Sequence, residues 1–127
     1  MERRSMLGVS TAIRSEVSDS GAEIIETILD LGVRQVELEY RITEPMLKEI
    51  LPFWKRGEIE VLSVHNFLPM PEGIAAEKAI PDFFSLSSPD AESRMLGLKY
   101  AKRTLEWAEE LGASGADSLA WWFEVGA

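Results

Sequence analysis

The chain contains one histidine, His65, which closes the apolar run Ile59 to Asn66 together with Ser63. Neutral imidazole ligates divalent metals, and histidine is the side chain that exchanges protons most readily near neutral pH. A histidine at such a place reads as a metal ligand or a proton carrier, and the plainer reading is a hydrogen-bonded rim residue. The carboxylates that its pattern brings within reach are Glu37 and Glu39, in the run Gln35 to Tyr40. A catalytic zinc takes about three protein ligands, so His65 needs company to form a site. A buried carboxylate without a partner is costly, which leaves lining a site or standing in water as the two options for each glutamate. Glu37 is the candidate catalytic residue and His65 the candidate metal ligand.

Other groups suggest chemistry less directly. Trp121-Trp122-Phe123 has the aromatic surface to stack on a sugar, although core packing or an oligomer contact accounts for it as well. Lys99, Lys102 and Arg103 lie close together, and they read as the solvated face of a helix rather than a phosphate site. No cysteine is present, which excludes disulfides and thiolate metal sites.

Short apolar runs alternate with helical patterns, the signature of a parallel α/β protein. Leu7 to Ile13 is the first expected strand. Ser20 and Glu23 stand at capping-box spacing before an apolar stripe of Ile24, Ile25, Ile28 and Leu29, and Gly32 ends that helix. Gln35 to Tyr40 is the second strand. Thr43 caps a second helix, in which Pro52 predicts a kink or an early stop. Ile59 to Asn66 is the third strand. Phe67 to Ser88, with Pro69, Pro71, Gly73 and Pro81, reads as a long loop of the kind that covers or builds a site. Ser88-Pro89-Asp90 starts a third long helix, whose expected buried stripe is Leu98, Ala101, Leu105, Ala108 and Leu111, with Gly112 as its stop. Leu119 to Val125 is a fourth strand or an exposed tail.

Strand alternation separates two faces. Val36 and Leu38 oppose Glu37 and Glu39; Leu62 and Val64 oppose Ser63 and His65; Leu7 and Val9 oppose Gly8 and Ser10. A sheet with helices on both sides is apolar on both faces, whereas a barrel lumen opening into an active site accepts ionisable residues. The pattern favours a partial (β/α) barrel over an open doubly wound sheet. It also sets His65 near the carboxyl end of its strand, where barrel enzymes keep their chemistry.

The 127 residues form a single domain, and a complete eight-stranded barrel takes roughly 200 residues or more. Three to four β/α units with parallel strands are therefore expected. Hydrophobic residues make up 46% and charged residues 28%, which supports a packed core. The formal charge of −9 disfavours nucleic acid, whose binders carry a basic face. No stretch reaches the ~20 apolar residues of a membrane helix, and the opening Met1-Glu2-Arg3-Arg4 is followed by no signal-type apolar run, so a cytoplasmic location is expected.

Leu7-Gly8-Val9-Ser10-Thr11, Val36-Glu37-Leu38 and Ser63-Val64-His65-Asn66-Phe67 together resemble sugar phosphate isomerases/epimerases of the xylose isomerase-like TIM-barrel superfamily, which also holds endonuclease IV-type enzymes. Leu86-Ser87-Ser88-Pro89-Asp90 and Leu105-Glu106-Trp107-Ala108-Glu109-Glu110-Leu111-Gly112 extend the likeness, which spans roughly residues 7 to 113. Each motif is weak alone; their order and spacing carry the weight. The resemblance implies a divalent metal (Zn, Mn or Mg), a sugar or sugar phosphate as partner, and proton transfer beside a carbonyl. It places a metal ligand on His65 and the strand-two glutamate on Glu37. The family pattern expects a second histidine at the end of strand four, where this chain has Asp117-Ser118-Leu119-Ala120-Trp121-Trp122-Phe123. Residues 114–127 thus read as an atypical tail, expected to come from a truncated or frame-shifted reading frame, and the fragment is expected to be inactive by itself. The alternatives are an endonuclease IV-like phosphodiesterase and a non-catalytic half-barrel that self-assembles through its exposed edges as a homo-oligomer.

Overall fold

The computed structural model describes residues 8–15, 17–71 and 90–113. Within them the order is β1 (Gly8–Ser10), α1 (Ala12–Ser15), α2 (Gly21–Asp30), β2 (Gln35–Leu38), α3 (Glu44–Lys55), β3 (Glu60–Val64) and α4 (Ala91–Leu111). The strands form a parallel sheet in the order β1-β2-β3. The expected α/β class with parallel strands is therefore present. The expected fourth strand, most of the long loop and the aromatic cluster lie outside the described residues.

Strand one is shorter than its apolar run suggests. Ser10 Oγ accepts from Ala12 N at 3.1 Å, and Thr11 O accepts from Arg14 N and Ser15 N, so the chain turns into α1 instead of extending to Ile13. Helix α2 follows the sequence closely. Ser20 caps it by accepting from Glu23 N at 3.2 Å, and Ile24, Ile25 and Ile28 are fully buried. The capping box does not close in its direct form. Ser20 N donates to Ser18 Oγ, and that hydroxyl donates to Glu23 Oε2. The hydrogen bond from Arg14, and then that from Ser18, hold the Glu23 carboxyl below its usual range.

Helix α2 lies close against α3 because Gly21 has no side chain: a Cβ there would stand 2.2 Å from Met46 O. Glu49 of α3 reaches back and accepts from Gly21 N at 2.7 Å, placing a carboxylate at the positive end of α2. Pro52 leaves α3 as one helix through Lys55. It sits in the last turn and is exposed, so water can serve the carbonyl whose N–H partner it lacks.

One buried cluster joins Ile24, Ile25 and Ile28 of α2, Leu47 and Ile50 of α3 and Ala108 and Leu111 of α4 to Val36, Leu38, Val61 and Val64 of the sheet. The helices therefore share one face of the sheet. Right-handed crossovers taken in sequential strand order produce this one-sided layering. Among the described residues, no helix covers the other face.

The alternation expected for strand three changes at a bulge. Val36 pairs with Val61, but Glu37 pairs with Ser63, leaving Leu62 as an extra residue. Val61 and Val64 both join the core, while Leu62 turns the other way: its Cδ1 would stand 2.9 Å from a Cβ placed on Gly8. Leu62 and Val64 consequently do not share a face.

Helix α4 is capped by Asp90, which accepts from Ser93 N and Ser93 Oγ at 3.2 and 2.8 Å. Those hydrogen bonds, the side-chain one first, hold its carboxyl below the usual range. The cap stands two residues later than a helix opening at Pro89 requires, since Ser88 would then be the cap. Gly112, with φ of 68°, ends the helix in the left-handed region, and Ala113 N returns to Ala108 O at 2.9 Å. The buried stripe is Gly97, Ala101, Thr104, Ala108 and Leu111. Leu98 and Leu105, expected inside, are 52% and 41% exposed. The helix is thus turned so that Thr104, rather than Leu98 or Leu105, faces inward.

Among the described residues, no helix is long and apolar enough to cross a membrane.

Candidate functional site

The two residues singled out by type and spacing meet. His65 Nε2 lies 2.8 Å from Glu37 Oε1, and Ser63 Oγ donates to Glu37 Oε2 at 2.6 Å. The bulge at Leu62 makes this possible, because it sets Ser63 opposite Glu37. His65 N donates to Leu38 O at 2.9 Å, prolonging the β2–β3 ladder by one bond and fixing the backbone from which the ring projects. The pair stands at the carboxyl ends of parallel strands, on the face that none of the described helices covers.

An ionised carboxylate only accepts, so Nε2 carries the proton in this contact. In the neutral ring Nδ1 then bears the lone pair, and it is the atom left to bind an ion or take a proton. Glu37 accepts from both neighbours, which restrains its rotation and through it the imidazole. Ser63 hydrogen-bonds the acid rather than the imidazole. The order hydroxyl–carboxylate–imidazole therefore differs from a serine hydrolase triad, in which the imidazole takes the serine proton. Ser63 acts here as an orienting group.

With side chains 36% and 42% exposed, Glu37 and His65 remain open to water and to ligands. Glu39 goes elsewhere. It is 1% exposed, its backbone N donates to Thr11 Oγ1 at 3.1 Å, and its Oε2 meets Arg41 Nη1 at 3.3 Å. The structure thus separates two glutamates that strand alternation had placed together, because the chain leaves the β2 ladder after Leu38.

A metal fits this arrangement only in part. His65 Nδ1 is a suitable donor, and a carboxylate hydrogen-bonded to the ring's other nitrogen is the usual way such a ligand is oriented. Both Glu37 oxygens, however, are engaged by His65 and Ser63. Among the described residues, no group of three His, Cys, Asp or Glu side chains is placed to hold an ion. The described residues offer a ligand and its orienting carboxylate, not a complete site.

Two residues were not singled out by the sequence. Thr11, fully buried, donates its N–H to Glu37 O at 2.9 Å and accepts from Glu39 N through its hydroxyl oxygen, tying β1 to the end of β2. Thr104 binds the segment that follows His65. A polar residue just past a strand, or inside an apolar helical stripe, is the signal that marks each. Of the basic set, Lys99 and Lys102 are exposed, while Arg103 Nη2 donates to Pro69 O at 3.1 Å.

A concavity of about 180 Å³ lies between α3 and α4, lined by residues that include Leu47, Leu51, Pro69, Arg103 and Trp107. It is smaller than the roughly 300 Å³ at which small-molecule pockets begin, and neither Glu37 nor His65 lines it.

Comparison with known protein families, characterised proteins and solved structures finds no match to this chain.

Proposed function

We propose that this chain is the first part of a (β/α) barrel of the xylose isomerase-like type, and that its Glu37–His65 pair belongs to the site of a sugar or sugar phosphate isomerase/epimerase. The observation that carries the proposal is the 2.8 Å contact between His65 Nε2 and Glu37 Oε1 at the carboxyl ends of parallel strands. Sequential strand order with helices on one face supports the barrel, since a doubly wound sheet reverses direction and takes helices on both faces. The polar face of Glu37, Ser63 and His65 would then line the lumen mouth.

In this reading Glu37 holds the ring, and His65 Nδ1 either ligates a divalent ion or accepts a proton from the carbon beside a carbonyl. An ion (Zn, Mn or Mg), completed by ligands beyond these residues, would stabilise the negative oxygen of the enediolate. Phosphodiester cleavage is the less favoured chemistry because a net charge of −9 repels a polyanion.

A titration of the whole chain with Zn²⁺, followed through the ring nitrogens of its one histidine, tests the proposal. A shift at Nδ1 that saturates, with binding lost in His65→Ala, supports it. Ring signals indifferent to zinc, or binding equal in the variant, count against it.

A second reading rests on exposed apolar side chains at both ends of the β/α array: Ile13 and Val17 beside β1, and Met95, Leu98 and Leu105 on α4. Such surface suits a half-barrel that associates with further copies of itself. Light scattering at micromolar concentration that finds only monomer dismisses this reading.

A further inference from the structure

Thr104 is an anomaly in its own helix. It stands at the centre of the buried stripe of α4, 0% exposed, while Leu98 and Leu105 are turned toward solvent. Its hydroxyl donates to Tyr100 O at 2.9 Å, and the same oxygen accepts from Leu68 N at 2.9 Å. Both functions of the hydroxyl are therefore assigned, and a backbone N–H that would otherwise be buried without a partner is satisfied.

Leu68 lies just downstream of His65, and three further contacts hold the same stretch. Arg103, next to Thr104, donates from Nη2 to Pro69 O at 3.1 Å. The Phe67 and Tyr100 rings stand 5.9 Å apart. Met70 N donates to Ile42 O at 2.7 Å. Upstream, His65 N is fixed on Leu38 O. The chain that carries the imidazole is thus secured on one side by β2 and on the other by α4.

We propose that Thr104 is a positioning residue: through Leu68 it sets the backbone beyond β3 so that His65 Nε2 meets Glu37. A hydrophobic residue at this position would pack the stripe better and would release the segment. This inference rests on the reading of Glu37–His65 as the functional pair, but it concerns geometry and can be judged apart from any activity.

The test is nuclear Overhauser contact between the His65 ring and the Glu37 and Ser63 side chains in the whole chain, with far-UV circular dichroism to verify folding. Thr104→Val keeps the shape and removes the hydroxyl; Thr104→Ser keeps the hydroxyl. The expected result is loss of the ring contacts in Thr104→Val and their retention in Thr104→Ser. Contacts that persist in a folded Thr104→Val, or that vanish in a folded Thr104→Ser, overturn the proposal. Should Thr104→Val not fold, Thr104→Ala decides, since it removes the same hydroxyl with a residue that favours the helix. Weakened ring contacts in that variant support the proposal, and unchanged ones overturn it. If wild type binds no zinc yet Thr104→Val loses the ring contacts, the functional reading fails and the positioning role stands.

Discussion

Glu37 and Ser63 face each other across β2 and β3, their side chains joined at 2.6 Å, because β3 carries one residue more than β2 at that point. Without the bulge at Leu62, an apolar side chain would stand opposite the carboxylate. With it, the carboxylate receives a hydroxyl on one oxygen and the His65 ring on the other. The local irregularity of the sheet and the polar site are one feature.

Removing His65 should leave the fold intact. The pair is more than a third exposed on both sides, where such contacts contribute on the order of 0.2–1 kcal/mol. His65→Ala and Glu37→Gln are each expected to lower unfolding stability by less than about 1 kcal/mol, as read by urea titration. A loss of several kcal/mol would show that the pair is structural cement and not a site held open to solvent.

Gly21→Ala should do much more damage, although alanine is the better helix former. The new methyl would stand 2.2 Å from Met46 O, a backbone atom of α3, so the two helices must part. Overpacking of this kind costs about 1–3 kcal/mol. Denaturant unfolding of the variant measures it, and a midpoint at or above wild type would mean that α2 and α3 are not so closely joined.

The pH dependence follows from Glu23 and Asp90. Both carboxyls are held below their ordinary range in the folded chain, Glu23 mainly by Arg14 and Asp90 mainly by Ser93. A depressed folded value means stability that is present above the unfolded value and is lost as pH falls through the folded one. Stability should therefore decline on the acid side of the usual carboxylate range. Glu23→Gln and Asp90→Asn should each flatten that decline in urea titrations between neutral and strongly acid pH. An acid decline equal to wild type in both variants would contradict the assignment.

Leu98→Glu with Leu105→Glu tests the exposed face of α4. Both side chains lie outside the core, so thermal stability should hold. Any association detected by light scattering in wild type should weaken, and unchanged association would place the contact elsewhere.

The sequence made some of this legible and hid the rest for physical reasons. Ser20, Gly32, Thr43 and Gly112 mark helix ends through backbone chemistry that acts within a few residues, and each does so in the structure. Glu37 and His65 were visible because they break an apolar alternation. The facing of α4 was not visible: Leu98 and Leu105 fit the helical period, but a contact with Leu68, far away in the chain, draws Thr104 inward. Nor was the bulge at Leu62, since nothing in Glu60 to Val64 signals an extra residue. Glu39 shared a sequence pattern with Glu37 and parts from it where the chain leaves the β2 ladder, held there by Thr11 and Arg41.

The most direct test of the proposed site is a titration of isotope-labelled chain with a ketose phosphate in the presence of Zn²⁺, mapped residue by residue by NMR. Shifts are expected to concentrate at Glu37, Ser63 and His65, and His65→Ala is expected to abolish them. Shifts confined to the groove between α3 and α4, or none at saturating ligand, would contradict the proposal.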